Sequence, residues 1–428
     1  MDVVDVAKDA VELGPVCESC LGRTMADWSR GLTNRQRGEA ALIALAIAED
    51  VPFESIAPED QCWVCEGLCD RYDTLAEDVV DAIGDREFST YQVGTRLPPF
   101  IAENDRLFRE DIRGDANAGE SLKRECNREI GKRVGKLTEA TVEFGRPDVL
   151  AIVDIEAETI EITVNSAFIY GRYRKLERGI PQTRWPCSTC DGRGIKRGEE
   201  CPDCDGSGLR YQRSVEQLVA PSIQEAMDGS DATFHGAGRE DIDARMLGTG
   251  RPFVVEVSEP RRRTVDLHAL TEAVNTAAGG AVEVIELAMA THEMVEHVKE
   301  LEASKTYEVN VSFSEHIDEE TLTEAIKALE GRTIEQETPS RVSHRRAALT
   351  RTRTVYAAEL LEETDSDARI KIHGEGGLYI KELLHGDDGR TTPNLADELG
   401  VTVTVDALDV VEVVAEGDRS FDTERYLH

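Results

Sequence analysis

The sequence predicts an α+β protein with more than one domain, and three features of the chain carry that prediction. Its 428 residues exceed what one ordinary hydrophobic core holds, so two or three domains are expected. Helix-like stretches with polar starts occur beside runs of period-2 hydrophobicity, as in residues 149–164. Eight of the ten cysteines form four C-x-x-C pairs, which predict small stapled units along the chain.

The charge and hydropathy of the chain restrict its partners and its compartment. It carries 85 acidic and 49 basic residues, a formal charge of −36, and such repulsion normally opposes binding to phosphate. A dense carboxylate surface is also typical of a very salty cytoplasm, where screening shortens the Debye length to about 3 Å at 1 M salt. Local basic stretches are therefore the better guide to nucleic-acid binding. No apolar run of about 18 residues and no signal peptide is present, so we expect a soluble cytoplasmic protein without membrane contact.

The first two cysteine pairs predict a structural zinc site. In a reducing compartment they can supply four thiolates to one tetrahedral zinc. These ligands would be Cys17, Cys20, Cys62 and Cys65. Residues 34–47, between the pairs, have a helix pattern with a polar start. Ordinary reduced cysteines are the alternative, and Cys69 and Cys126, which lack this spacing, are interpreted as small buried hydrophobes.

A hairpin and a basic segment follow. Residues 149–155 and 159–164 alternate about a polar turn, which predicts an antiparallel hairpin closing an α+β domain. Residues 170–179 are basic and interleaved with tyrosine, so they are a candidate nucleic-acid surface where rings stack and arginines contact phosphate. A basic linker held by neighbouring carboxylates is the alternative. The basic residues concerned are Arg172, Arg174 and Lys175.

Two copies of C-x-x-C-x-G-x-G predict a compact zinc ribbon between domains. Glycines after the second thiolate let the backbone turn tightly beneath a metal. The ligands would be Cys187, Cys190, Cys201 and Cys204. A redox role is the weaker alternative, because no thioredoxin-like βαβ pattern surrounds either pair.

Residues 235–253 are rich in glycine and charge and are predicted to form a loop at a reactive site. Such a loop suits a close approach of backbone to a ligand. Asp241 and Asp243 are the candidate reactive carboxylates, and a solvated, salt-bridged turn is the alternative. The flanking arginines are Arg239, Arg245 and Arg251.

Three later segments complete the pattern. Residues 305–313 alternate strictly and predict a strand with Tyr307 on its apolar face, a position that is usually core. Residues 369–386 predict a strand, a glycine turn and a helix that begins near Lys381. Residues 338–358 contain no acidic side chain, which predicts a phosphate-contacting loop. Its arginines are Arg341, Arg345, Arg346, Arg351 and Arg353.

Taken in order, residues 235–241, 305–307 and 377–382 resemble the three signature motifs of one family of tRNA pseudouridine synthases. This is the tenth pseudouridine synthase class, found in archaea and eukaryotes and assigned to uridines 54 and 55 of the TΨC arm. Segments elsewhere resemble the family too, so the resemblance covers nearly the whole chain. They are residues 17–23, 31–34, 169–175 and 341–346.

The resemblance implies a zinc-stapled N-terminal half with a THUMP-type RNA-binding domain, then a mixed α/β pseudouridine synthase catalytic domain. The expected boundaries are 1–70 for the zinc segment, 71–185 for the THUMP-type domain, 186–210 for the ribbon and 211–428 for the catalytic domain. The ribbon is not general to the family, which leaves its role open.

The resemblance also implies the roles of site residues. Asp241 would be the nucleophile, with Asp243 a helper or structural residue, and Lys381 would pair with Asp241. Tyr307 and Tyr379 would bracket the uracil, and Arg239 belongs to the same signature and would contact substrate. Glu308 departs from the basic or neutral residue expected after the tyrosine.

The implied reaction converts uridine to pseudouridine in tRNA. The uracil must be flipped out, leave its ribose, rotate and rejoin through C5, which needs a carboxylate and a closed pocket but no catalytic cofactor. Zinc would be structural and the protein a monomer. A non-enzymatic tRNA chaperone is one alternative, and a zinc nucleoside deaminase is disfavoured because no H-x-E accompanies a P-C-x-x-C.

Overall fold

The computed structural model describes residues 2–28, 30–57, 61–342, 348–364, 366–416, 420–421 and 423–427. Its chain divides into two compact units. The first is Met1–Asn165 with Arg261–Arg263, and the second is Ser166–Pro260 with Thr264–His428. Among the described residues, no helix is both long and apolar enough to cross a membrane.

In its described residues, the first unit packs six α-helices with a four-stranded sheet. The helices are α1 (Val3–Glu12), α2 (Glu18–Arg23), α3 (Asn34–Glu49), α4 (Tyr72–Ile83), α5 (Pro99–Arg113) and α6 (Leu122–Thr138). The strands are β1 (Thr90–Arg96), β2 (Thr141–Val142), β3 (Val149–Asp154) and β4 (Thr159–Val164). Their order is β2-β1-β3-β4, with β3 and β4 antiparallel. The predicted hairpin and the predicted helix over residues 34–47 are thus confirmed.

A buried ion-pair network joins three helices of this unit. The Arg23 side chain is fully buried at the end of α2. Its Nε lies 2.8 Å from Asp105 of α5, and its Nη1 lies 3.4 Å from Glu125 of α6. Both carboxylates are buried as well, so each charge in the network depends on the others for compensation.

The second unit contains a long mixed sheet, flanking helices and the cysteine ribbon. Its helices are α7 (Val215–Ala226), α8 (Leu267–Ala278), α9 (Glu293–Glu300), α10 (Glu319–Ala328), α11 (Ile380–His385) and α12 (Leu395–Leu399). The ribbon strands are β6 (Ile195–Lys196) and β7 (Glu199–Glu200). The remaining strands are β5 (Ala167–Lys175), β8 (Asp231–Gly236), β9 (Arg245–Ser258), β10 (Val282–Ala290), β11 (Ala303–Phe313), β12 (Thr333–Glu337), β13 (Thr350–Glu363), β14 (Asp367–Gly374), β15 (Thr391–Thr392) and β16 (Val403–Ala415).

The order of the long sheet brings distant motifs together. It runs β10-β5-β9-β16-β11-β14-β13-β12-β15, and β8 pairs with β9. At its centre, Val410 of β16 pairs with Met246 of β9 and with Tyr307 of β11. Strand β9, which follows the loop that carries Asp241, is therefore separated by one strand from β11, which carries Tyr307.

One domain boundary falls within a unit of the structure, and the prediction of a loop over residues 235–253 is wrong in extent. The predicted 71–185 domain ends inside the second unit, because β5 pairs with both β9 and β10 of the long sheet. The predicted loop over 235–253 is largely strand, with only residues 237–244 joining β8 to β9. The predicted strand over 305–313 is confirmed as β11, and the predicted strand, turn and helix over 369–386 are confirmed as β14 and α11.

Candidate active site

Asp241 lies between two cationic side chains in the loop that joins β8 to β9. Arg341 Nη1 is 3.0 Å from its Oδ2, and Lys381 Nζ is 3.5 Å from the same oxygen. The carboxylate is 37% exposed, so it is held by ion pairs yet open to a ligand.

Lys381 contacts both aspartates of the loop. Its Nζ is 2.7 Å from Asp243 Oδ2, which is closer than its contact with Asp241. Burial acts to raise the pKa of Asp243, but the hydrogen bond and charge of Lys381 outweigh it and lower that pKa. The geometry thus brings the predicted partners Lys381 and Asp241 together, with Asp243 as the nearer carboxylate.

Buried charges beneath the loop fix its backbone. Glu240 accepts hydrogen bonds from the Tyr173 hydroxyl at 3.0 and 2.8 Å and lies 2.8 Å from Arg251 Nε. Lys175, also fully buried, donates to the carbonyls of Asp241 at 3.1 Å and Ile242 at 3.3 Å. Burial acts to raise the pKa of Glu240, but the charges of Arg251 and Lys175 outweigh it, so the pKa is lowered and the carboxylate stays ionised.

The prediction of an RNA surface over residues 170–179 is therefore wrong for its central residues. Lys175 has no exposed side-chain surface, and Arg172 is buried and contacts Glu286 at 3.4 Å. Arg174 is more exposed but donates to the Gly248 carbonyl at 2.7 Å and to Glu283 at 2.9 Å. Strand β5 is covered on both faces. Its basic side chains therefore meet groups of the neighbouring strands and hold those strands together.

A cavity of about 150 Å³ opens beside Asp241. All five residues predicted for catalysis and substrate binding line it. They are Arg239, Asp241, Tyr307, Tyr379 and Lys381. Burial raises the pKa of Tyr307 to about 12, so its phenol is neutral at physiological pH. Glu308, the departure noted in the sequence, forms an ion pair with Arg369 of the neighbouring strand β14.

Three supporting side chains were missed by the sequence reasoning. Glu382 is buried and accepts from Arg341 Nε at 2.7 Å, so Arg341 bridges it to Asp241. Gln336 is fully buried and holds the backbone of Tyr379 by two hydrogen bonds, accepting at 2.8 Å and donating at 2.9 Å. Neither has a local signal, since each looks like an ordinary polar residue in a strand or helix pattern.

Lys305 is the third missed side chain. It lies two residues before Tyr307 on β11 and lines the same cavity. Burial, with a smaller contribution from Arg251, lowers the pKa of its ammonium to about 8. The position of Lys305 two residues before Tyr307 could have indicated that it lines the cavity, because residues i and i+2 of a strand share a face.

The predicted phosphate-contacting loop is only partly described. Arg345 and Arg346 lie outside the described residues. Arg353 donates to the Gly376 carbonyl at 2.8 Å and lies 3.4 Å from Glu375, while Arg351 donates to Thr338 Oγ1 at 3.3 Å. Arg341, predicted to contact RNA, contacts the candidate nucleophile Asp241.

Two cysteine clusters have the chemistry of metal sites. The thiols of Cys187, Cys190, Cys201 and Cys204 are buried and lie within 4.8 Å of one another. The backbone N–H groups of Gly194 and Gly208 donate to Cys190 and Cys204 at 3.2 and 3.3 Å, which suits thiolates. Four convergent sulfurs fit zinc.

The N-terminal cluster differs from its prediction in one ligand. The compact set is Cys17, Cys20, Cys65 and Cys69. Cys62, the predicted ligand, lies within hydrogen-bonding reach of three of these thiols. Cys69, interpreted from its spacing as a buried hydrophobe, thus lies in a set of thiols that could hold a metal ion. The short spacing from Cys65 to Cys69, across a turn in which Glu66 and Gly67 have positive φ, could have indicated it.

Comparison with known proteins identifies the family. Residues 75–154 match the model described as "Pus10 THUMP domain, archaeal", and residues 168–414 match "Pus10, C-terminal". The chain is 53% identical over 426 residues to a "tRNA pseudouridine synthase Pus10" of Halorubrum lacusprofundi, covering 100% of this chain and 99% of that protein. The chain belongs to the Pus10 family.

Other Pus10 relatives span the same length. The "tRNA pseudouridine synthase Pus10" of Methanothrix thermoacetophila is 42% identical, covering 96% of this chain and 94% of its own. The Pus10 C-terminal match begins within β5, in agreement with the strand's place in the second unit. A solved Cbf5-Nop10-Gar1 complex has a TM-score of 0.30 at 20% identity, covering 48% of this chain and 47% of that chain. The match to the Pus10 family and to its curated relatives makes the chain a tRNA pseudouridine synthase, an isomerase.

Proposed function

We propose that this Pus10 chain converts uridine to pseudouridine at position 54, 55 or both in the TΨC arm of tRNA, with Asp241 as the nucleophile. The observation that carries the proposal is the position of Asp241 at the cavity, between Arg341 and Lys381 and opposite Tyr307. A carboxylate held there by two ion pairs needs no further cofactor to attack an electrophilic carbon.

The reaction is an isomerisation that balances within the substrate. The bond from ribose C1′ to N1 breaks, a bond from C1′ to C5 forms, and the proton leaving C5 is replaced by one gained at N1. Asp241 acts at C1′, and Arg341 and Lys381 hold its carboxylate in place. The cavity is lined by the loop of Asp241, by β11 and by the start of α11, so it can keep a detached uracil close to the ribose while the base turns.

Two tyrosines suit the flipped base. Tyr307 is nine-tenths buried and neutral, so it can stack on uracil without adding charge. Tyr379 stands at the start of α11 with its backbone fixed by Gln336, and it forms a second wall. Arg239 lies at the rim, where it can contact a phosphate next to the target.

The two thiol clusters would each hold a structural zinc. Neither cluster contributes a lining residue to the cavity around Asp241. The metal would therefore supply stability to its module and leave the isomerisation to the carboxylate. We further propose that the protein acts on tRNA in the cytoplasm as a monomer.

The test is a pseudouridine map of an unmodified tRNA transcript. Asp241→Ala should lower the rate of pseudouridine formation by about four orders of magnitude or more, because the nucleophile is gone. Asp243→Ala is the matched control and should retain most of the rate. Full activity in the Asp241 variant would refute its role, whereas wild-type pseudouridine at other tRNA positions would refute the site assignment.

A further inference from the structure

The cysteine ribbon joins the second unit through a short stem beside the cavity. Pro186 pairs antiparallel with Leu209, and the backbone N–H of Arg210 donates to the carbonyl of Trp185 at 2.9 Å. The four thiols close the ribbon immediately beyond this stem. A metal bound there would hold the residues on either side of the stem opposite each other.

These residues form what we call the stem cluster: Trp185, Arg210, Tyr211 and Arg239. The rings of Trp185 and Tyr211 lie edge to face with centroids 5.5 Å apart. The Arg210 guanidinium lies 5.9 Å from both centroids. Arg239 lies 6.0 Å from the Trp185 ring and also lines the cavity, so the cluster is continuous with the active site.

The charge of the stem cluster differs from that of its surroundings. Neighbouring arginines are neutralised, as Arg184 lies 3.4 Å from Glu216 and Arg213 lies 2.7 Å from Glu177. Arg210 and Arg239 are exposed and form no ion pair with a carboxylate among the described residues. In a chain with 85 acidic residues, two such arginines beside half-buried aromatic rings fit an anionic, aromatic partner.

We propose that the stem cluster binds the unpaired RNA strand next to the flipped uridine, with the rings stacking on a base and the arginines contacting phosphates. The inference rests on the proposed function, because the cavity must receive a uridine for its neighbours to reach the cluster. An unpaired strand is favoured over duplex because flipping unstacks the adjacent bases and frees their faces. Stacking also persists at salt concentrations that weaken phosphate contacts.

The experiment compares two charge reversals in the full chain. Arg210→Glu changes the stem cluster, and Arg197→Glu makes the same change at the exposed turn between β6 and β7. Direct binding to unmodified tRNA and single-turnover pseudouridine formation are measured with each. Arg210→Glu should raise the dissociation constant and the half-saturating enzyme concentration about 10-fold, with the rate at saturation unchanged. Arg197→Glu should match the wild type.

Trp185→Ala separates stacking from charge. It should weaken tRNA binding by about 10-fold in low and in high salt, while the effect of Arg210→Glu shrinks as salt rises. Thermal melting establishes that each variant is folded. Equal tRNA affinity in Arg210→Glu and Arg197→Glu would overturn the inference, as would a loss confined to the rate at saturation. If the wild type bound tRNA but made no pseudouridine in the TΨC arm, the proposed function would fail while the binding comparison still tested the cluster.

Discussion

At the scale of single residues, Arg341 connects Asp241, the proposed nucleophile, to the buried fold. Its guanidinium reaches Asp241 with one nitrogen and the buried Glu382 with two others. A planar guanidinium can serve both carboxylates at once, whereas an ammonium on a flexible stem cannot hold the same geometry. The position of Asp241 therefore depends on the planar shape of the Arg341 guanidinium as well as on its charge.

Arg341→Lys should lower the single-turnover rate by about 10- to 100-fold, because the carboxylate shifts while the local charge is kept. The rate of pseudouridine formation at saturating enzyme measures this loss. Arg351→Lys, in the same basic stretch but bonded only to a threonine hydroxyl among the described partners, is the control and should keep the wild-type rate. A fully active Arg341→Lys would show that charge alone suffices.

The lowered pKa of Lys305 predicts that the stability of the folded protein depends on pH. It also predicts that removal of this side chain stabilises the fold and impairs activity. Burial and Arg251 lower its pKa to about 8, while Glu416 acts in the opposite direction, and an unfolded chain restores the value near 10.5. Below pH 8 the folded protein carries the charge of Lys305 in a partly buried position, at a cost in stability. Between these values the unfolded state holds more protons, so the stability contributed by this residue rises with pH.

Lys305→Met should therefore raise the free energy of unfolding at pH 7 by about 1–3 kcal/mol, with a gain that shrinks toward pH 10. Denaturant unfolding at both pH values measures it. Pseudouridine formation should fall, because a cation is lost from the cavity wall. A gain in stability independent of pH would contradict the role of the buried charge.

At the scale of elements, the network around Arg23 holds α2 against α5 and α6. Arg23→Met should destabilise the protein by about 3–5 kcal/mol, because Asp105 and Glu125 remain buried without their cation. Equilibrium unfolding followed by circular dichroism measures this loss. Arg106→Met, on the exposed face of α5, should leave stability nearly unchanged. Equal losses of stability in the two variants would show that the buried network is not what holds α2 against α5 and α6.

Elements with one buried face could be predicted from the sequence, and those buried on both faces could not. The strand β11 alternates because one of its faces packs on the core. Strand β5 is covered on both sides, so its basic residues suggested a surface. Lys175 is neutralised by Glu240, 65 positions away in the chain, and no local pattern reveals such a partner.

Glycines misled the prediction of the loop over residues 235–253. A side chain at Gly248 would place its Cβ 1.8 Å from the carbonyl oxygen of Val411, so the glycine permits close approach of β9 and β16. The same residue type serves loops and crowded strands, and only the neighbouring strand distinguishes them. The motif order still predicted the cavity residues, because the resemblance supplied what periodicity could not.

At the scale of the whole molecule, metal is expected in two places far apart in the chain. Purified protein should contain about two zinc ions per chain, one for each thiol cluster. A strong chelator should lower the melting temperature, and the fraction that stays folded should keep its rate at saturating tRNA. Elemental analysis and melting curves measure these effects. Immediate loss of turnover without unfolding would assign the metal a role in the chemistry.

The pairing of Val410 with both Met246 and Tyr307 also has a consequence for synthesis. Strand β16 is the last of the long sheet to leave the ribosome, yet it lies between β9, which follows the loop of Asp241, and β11, which carries Tyr307. A nascent chain without residues 403–415 has both parts of the site but lacks the strand that lies between them. Ribosome-bound intermediates should therefore be inert toward the tRNAs that crowd around them during translation.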